Sequence, residues 1–271
     1  AAIMLEVLSR TEHTVERMTV ASSMSIYGEG QYVEAESGRP VMPGMRGHEQ
    51  LQAHHWELNQ DGATLLPVPT DENKLLQPAS IYAVNKRDHE EMFLSVGRAL
   101  KIPTVALRLF NAYGSRQALS NPYTGVAAIF ISRLLNDQPP IIFEDGEQKR
   151  DFVHVLDVAN AFATVLERDL AVWEACNVGS GQARTVNEIA TTLARLLRKN
   201  IAPTILNQYR VGDIRHCFAD TSKLEKLFGI RPTQEFEAGM AQLIEWVQTV
   251  NRPQDRSQQS LAELTRSRLV V

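Results

Sequence analysis

The chain has 271 residues, 44% of them hydrophobic and 22% charged, a balance near the globular average that excludes collagen-like, disordered and disulfide-scaffold classes. At roughly 150 residues per domain it holds one to two domains and enough apolar material for a sizeable core. Lys and Arg total 28 against 32 Asp and Glu, a formal charge of -4, so no positive surplus attracts nucleic acid or an anionic membrane.

In chain order, residues 1–10 (AAIMLEVLSR) lack the basic region and long apolar run of a signal peptide. They read as a helix entered part-way along, with no N-cap residue ahead of it. Residues 15–21 are short, apolar and β-branched, which predicts a buried strand. Residues 30–69 hold five Gly and four Pro with little periodicity and predict an inserted loop region outside the core. After Ile81, the residues Met92, Phe93, Val96, Ala99 and Leu100 fall at helical spacing, and residues 104–109 follow as a second buried strand. Helices are predicted over residues 155–167, 186–197 and 236–250. A strand over 175–178 runs into the Gly-rich turn Val178-Gly179-Ser180-Gly181. From Arg252 onward the chain is polar, which predicts fraying with a short helix over 261–269. Strands alternating with helices predict an α/β fold. No apolar run approaches the roughly 18 residues of a membrane-spanning helix. Cys176 and Cys217 lack C-x-x-C spacing, which points to a reducing compartment and the cytoplasm as the location.

Three places carry chemistry-bearing side chains. Tyr82 and Lys86 lie four apart at the start of the predicted helix, so phenol and ammonium share one face. A free phenol titrates near 10, about three units above neutrality, and a neighbouring cation reduces that gap of about 4 kcal/mol. With six Tyr in the chain such a spacing also arises by chance, so the pair alone is weak evidence. Residues 20–28 (VASSMSIYG) set three hydroxyls at the end of the first strand, where open α/β sheets bind ligands; a Ser-rich turn is the plain alternative. Residues 108–114 (RLFNAYG) repeat the pattern of strand, polar groups and glycine after the second strand. His48, His54 and His55 lack further ligands at a recognised spacing, so no metal site is expected. His154, inside DFVHV, reads as a structural hydrogen-bonder, and Cys217 as either a pocket wall or an inert buried thiol.

Taken in order, S-S-x-x-x-Y-G (22–28), Y-x-x-x-K (82–86) and R-x-F-N-x-Y-G (108–114) resemble the extended short-chain dehydrogenase/reductases, in their NAD-dependent epimerase/dehydratase branch acting on nucleotide sugars. The similarity continues through residues 144–155, 177–181 and 209–213, and covers about 18–247. Residues 117–126 and 212–217 are similar to the dTDP-L-rhamnose 4-epimerases, which also carry an insertion between serine and tyrosine. The resemblance implies a Rossmann-like doubly wound parallel sheet with a smaller α/β substrate domain. It implies a division into residues 1–110 for the NAD-binding part, 111–250 mainly for the sugar-nucleotide part with segments returning to the Rossmann core, and 251–271 as a tail. It assigns Ser23, Tyr82 and Lys86 to catalysis, Ser22, Ser23, Tyr82, Lys86 and Phe110 to NAD, and Ser25, Asn111, Arg150, Arg210 and Asp213 to a nucleotide-diphosphate sugar. The implied reaction is 4-epimerisation through a transient 4-keto sugar, in a homodimer. UDP-glucose 4-epimerase, decarboxylase and reductase activities stay open, whereas Met24 and Ser25 stand where dehydratases of the branch typically have Asp-Glu.

Two departures from the family pattern matter. Relatives often carry a cysteine pair in the insertion, and residues 55–62 (HWELNQDG) hold none. No G-x-x-G-x-x-G occurs in the sequence, and Gly179-Ser180-Gly181 lacks the third glycine, so the NAD pyrophosphate loop and the residues choosing NAD over NADP are expected upstream of Ala1. That expectation leaves a second reading, a non-catalytic remnant.

Overall fold

The computed structural model describes residues 1–118 and 125–250. Its first half contains α1 (Ala2–Arg10), β1 (Met18–Ser23), a 3-10 turn (Met24–Tyr27), β2 (Gln31–Glu34), β3 (Pro40–Val41), α2 (His48–Gln52), β4 (Asn59–Gln60), β5 (Ala63–Val68), α3 (Ile81–Leu100), β6 (Thr104–Leu109) and β7 (Asn111–Tyr113). Then come α4 (Val126–Leu135), β8 (Ile141–Ile142), β9 (Lys149–His154), α5 (Val155–Glu167), β10 (Trp173–Val178), β11 (Ala183–Thr185), α6 (Val186–Leu196), β12 (Thr204–Ile205), β13 (His216–Cys217), α7 (Ser222–Phe228) and α8 (Phe236–Thr249). The helix predicted over 261–269 and most of the 117–126 motif lie outside the described residues.

Three parallel strands in the order β1-β6-β10 form the first sheet, in a mixed α/β fold. Ser22 pairs with Arg108 and Arg108 with Asn177, so the three carboxyl ends are level. Alternation divides the strands between two faces. On one, Met18 joins Leu5, Phe93 and Ile102 beneath α1 and α3; on the other, Val105 and Leu107 join Val158, Ala161 and Val165 of α5. Ser80 caps α3 by accepting the Ala83 amide at 3.1 Å. Gly97 lets the helix lie against β6, since a Cβ there would stand 2.0 Å from Thr104 Oγ1.

At Phe110 the chain passes into a second sheet. There β9 pairs with β7 and β13 in parallel and with β11 antiparallel. Apolar faces of α4, α6 and α8 cover it through Phe130, Leu134, Ile189, Leu193, Met240 and Leu243.

The reading of residues 30–69 as a loop region needs correction. They form an antiparallel sheet, β3-β2-β5-β4, around a small core of Tyr32, Leu58 and Leu65. The strands are short and interrupted by proline, which hides their alternation. Pro67 is tolerated because β4 pairs only with Ala63 and Thr64, so the far side of β5 at Pro67 has no strand to bond. No helix among the described residues is long and apolar enough to cross a membrane.

Candidate active site

The level ends of β1, β6 and β10 set the first group. Ser23 Oγ accepts the Ser25 amide at 3.2 Å and the Ser25 hydroxyl at 2.9 Å. Because Ser23 only accepts in these contacts, its own proton remains for another acceptor. Ser22 is 2% exposed and its Oγ has no partner. A buried hydroxyl without a bond costs free energy, so this group suits a polar ligand edge.

Helix α3 brings the second group alongside. Tyr82 stands in its first turn and is 57% exposed. One turn on, Lys86 Nζ lies 5.9 Å from the Tyr82 ring centroid and donates to the Ala21 carbonyl at 3.0 Å. That bond ties the helical face of Tyr82 to the residue directly before Ser22. Tyr82 and Lys86 are thereby set beside the Ala21–Ser22 end of β1, with Ser23 the next residue along.

Phe110 is buried between Met24, Tyr27, Cys217 and Ala219. Asn111 is partly buried, and its Oδ1 is another buried atom without a partner.

The third group lies on the turn before β13. Asp213 accepts Arg210 Nη2 at 2.7 Å and Arg210 Nε at 3.1 Å, with Arg150 Nη2 at 3.5 Å. Burial pushes the Asp213 carboxyl up, but Arg210 and Arg150 outweigh it and hold the carboxyl below its ordinary range. Arg150 also donates to the Lys149 and Arg215 carbonyls, each at 3.0 Å, and to the Ile214 carbonyl. Arg210 is exposed and its guanidinium lies 5.0 Å from the Phe143 ring. A Cβ at Gly212 would stand 3.4 Å from the Ala79 carbonyl oxygen, so this turn lies against the segment leading into Tyr82. Two arginines beside one carboxylate can take an anion and a hydroxyl together.

Other marked residues have internal duties. His48 Nδ1 bonds the Tyr209 hydroxyl at 2.7 Å, and His54 stacks on Trp56 at 5.2 Å. No group of His, Cys, Asp or Glu among the described residues is arranged to hold a metal ion. His154 caps α5 by accepting the Leu156 amide at 3.3 Å, in keeping with the structural reading. Cys217 is 1% exposed and burial pushes its thiol up to about 12, which makes it the inert thiol of the two alternatives. The turn Gly179-Ser180-Gly181 wraps Asp151, whose carboxylate accepts Ser180 N at 2.7 Å, Ser180 Oγ at 2.6 Å and Gly181 N at 2.9 Å.

One supporting network was not read from the sequence. Arg108, 5% exposed, donates to both Glu90 oxygens, to Tyr27 Oη at 2.8 Å and to the Glu72 carbonyl at 3.1 Å. The Tyr27 hydroxyl donates to Asn177 Oδ1 at 2.7 Å. These bonds lock α3 to the ends of β6 and β10. The available signal was a glutamate on the buried stripe of α3, with Ala83, Phe93 and Gly97.

Residues 61–179 match the sequence profile of the NAD dependent epimerase/dehydratase family. The chain is 36% identical over 234 residues to the dTDP-L-rhamnose 4-epimerase of Burkholderia thailandensis, an alignment covering 86% of this chain and 63% of that protein. Among solved structures it is similar to UDP-N-acetylglucosamine 4-epimerase from Methanobrevibacter ruminantium in complex with UDP-N-acetylmuramic acid, with TM-score 0.68 and 29% identity over 86% of this chain and 63% of that one. It is also similar to UDP-glucose 4-epimerase with UDP-glucose from Thermotoga maritima, with TM-score 0.70 and 26% identity over 92% and 68%. The chain thus spans 63% of the length of the curated relative from Burkholderia.

Proposed function

From a chain that belongs, through residues 61–179, to the NAD dependent epimerase/dehydratase family, we propose a protein that epimerises C4 of a nucleotide-diphosphate sugar. One observation carries the reading: Lys86, one turn from Tyr82, reaches the Ala21 carbonyl, so the Tyr82–Lys86 face of α3 meets the hydroxyl-bearing end of β1. The unpartnered Ser22 hydroxyl fits NAD at this edge, with Ser22, Ser23, Tyr82, Lys86 and Phe110 as the residues that would hold it. When bound, NAD supplies reversible oxidation at the sugar C4.

In this reading Tyr82 takes the proton of the 4-hydroxyl, with Lys86 one helical turn away. Ser23 donates its uncommitted proton to the C4 oxygen as it becomes a ketone. Arg150, Arg210 and Asp213, with Ser25 and Asn111, hold the nucleotide diphosphate while the 4-keto sugar turns over. Once the 4-keto sugar has turned over, reversal of the oxidation restores the C4–H bond on the opposite sugar face, and Tyr82 gives its proton back to the C4 oxygen. The similarity to the Burkholderia protein favours dTDP-L-rhamnose as the sugar nucleotide, and the reading includes a homodimer in the cytoplasm.

The test supplies dTDP-L-rhamnose or UDP-glucose with NAD and follows sugar configuration by proton NMR and reduced cofactor by absorbance. The expected outcome is interconversion at C4 without net change in NADH. Sustained NADH production, or binding of neither nucleotide sugar, overturns the proposal.

A further inference from the structure

Glu29, Arg46 and Glu57 converge on the segment that carries Asp213. The Arg46 side chain is only 3% exposed. Its Nη1 donates to Glu144 Oε2 at 2.9 Å and to the Trp56 carbonyl at 3.3 Å. Its Nη2 donates to Glu144 Oε1 at 2.8 Å and to the Asp213 carbonyl at 3.0 Å. Glu29 accepts the amides of Arg215 at 2.9 Å and His216 at 3.2 Å, and Glu57 accepts Arg215 Nε at 3.0 Å and His216 Nε2 at 2.9 Å.

Arg150 holds the same segment too, through the Ile214 and Arg215 carbonyls. The backbone from Asp213 to His216 is thus held by several charged groups, while the Asp213 carboxylate is engaged by Arg210 and Arg150. Arg46 makes the one bond from residues 30–69 to the Asp213 peptide itself among the contacts described.

We propose that Arg46 is a positioning residue for the nucleotide-diphosphate site. It fixes the Asp213 peptide, and through it the mutual placement of Asp213, Arg210 and Arg150; this rests on the assignment of those three residues to the nucleotide. A guanidinium meets the requirement because its planar fork spans a carboxylate and a carbonyl together, whereas an ammonium keeps the charge without the fork. The antiparallel sheet of residues 31–68 then does more than decorate the fold: it carries the arm that sets a turn distant in sequence.

The experiment titrates thymidine diphosphate and uridine diphosphate into the full chain by calorimetry, with folding checked by circular dichroism. Arg46→Ala is expected to weaken binding about tenfold or more and Arg46→Lys about three- to tenfold, since lost positioning is felt as affinity. Leu65→Ala is the control, because it empties the small core of the same sheet without touching the turn; it is expected to keep affinity within about twofold. Should the alanine variant not fold, the lysine variant decides. A folded Arg46→Lys protein with unchanged affinity overturns the inference alone, as does an equal loss of affinity in Leu65→Ala. Absence of binding by the unsubstituted chain overturns the inference and the nucleotide assignment together.

Discussion

Tyr82 combines exposure with a fixed cation one helical turn away, and this pairing decides what its loss does. Tyr82→Phe keeps the ring and the helix but removes the only atom able to take a proton. Turnover is expected to fall by about 10²- to 10⁴-fold with KM changed by less than about threefold, measured by steady-state kinetics; an unaltered kcat removes Tyr82 as the base. The spacing of Tyr82 and Lys86 was visible in the sequence because helical periodicity converts four residues into one face. The partner of Lys86 was not, because it is the backbone carbonyl of Ala21, and a carbonyl has no residue type to recognise. The same holds for Arg46, whose target is the carbonyl of Asp213.

At the scale of elements, residues 29–57 are tied to the backbone of residues 213–216 by ionic contacts. Glu57 is the partly exposed member. Burial raises its pKa, yet hydrogen bonds from His216 and Arg215 override this and bring it to about 2, below its ordinary 4.5. A folded-state value below the unfolded one stabilises above the unfolded value, and that stability is lost as pH falls through the folded value. Glu57→Gln is therefore expected to cost about 1–2 kcal/mol at pH 7, allowing for solvent screening, and progressively less between about pH 4.5 and 2. Urea denaturation of both proteins at pH 7 and pH 2.5 checks this, and a difference that does not shrink with acid refutes it. Other elements escaped the sequence for reasons of pattern. Seven of the ten residues of α4 are buried, Ser132 and Arg133 among them, so no polar face marks its period. The strands of the inserted sheet were hidden by their shortness and their prolines. Helices α3 and α5, each with one buried stripe, were legible nearly to the residue.

For the whole molecule, the turn of Arg210 and Asp213 belongs to the second sheet while the segment it touches, at Ala79, leads into the helix on the first. A nucleotide held there bridges both bodies of the fold. At a free concentration about 100 times its Kd, uridine diphosphate is expected to add about 2.7 kcal/mol and to raise Tm by several degrees. Scanning calorimetry reads this directly, and an unmoved Tm at that ratio contradicts binding of the nucleotide by the folded chain. The three strands of the first sheet and the hydroxyls at the end of the first were recoverable from local pattern. The closeness of Ala79 to Gly212 was not, since it depends on how two sheets are set against each other.

Asp151 gives this arrangement a further meaning. Its carboxylate occupies the amides of Ser180 and Gly181, the kind of cradle that elsewhere welcomes a phosphate. The molecule has filled that cradle with an anion of its own making. An incoming diphosphate therefore finds one Gly-rich turn already sealed, while two arginines at the Asp213 turn share a single negative charge. In the proposed reading, the choice of where a polyanion settles would rest as much on closing the wrong berth as on opening the right one.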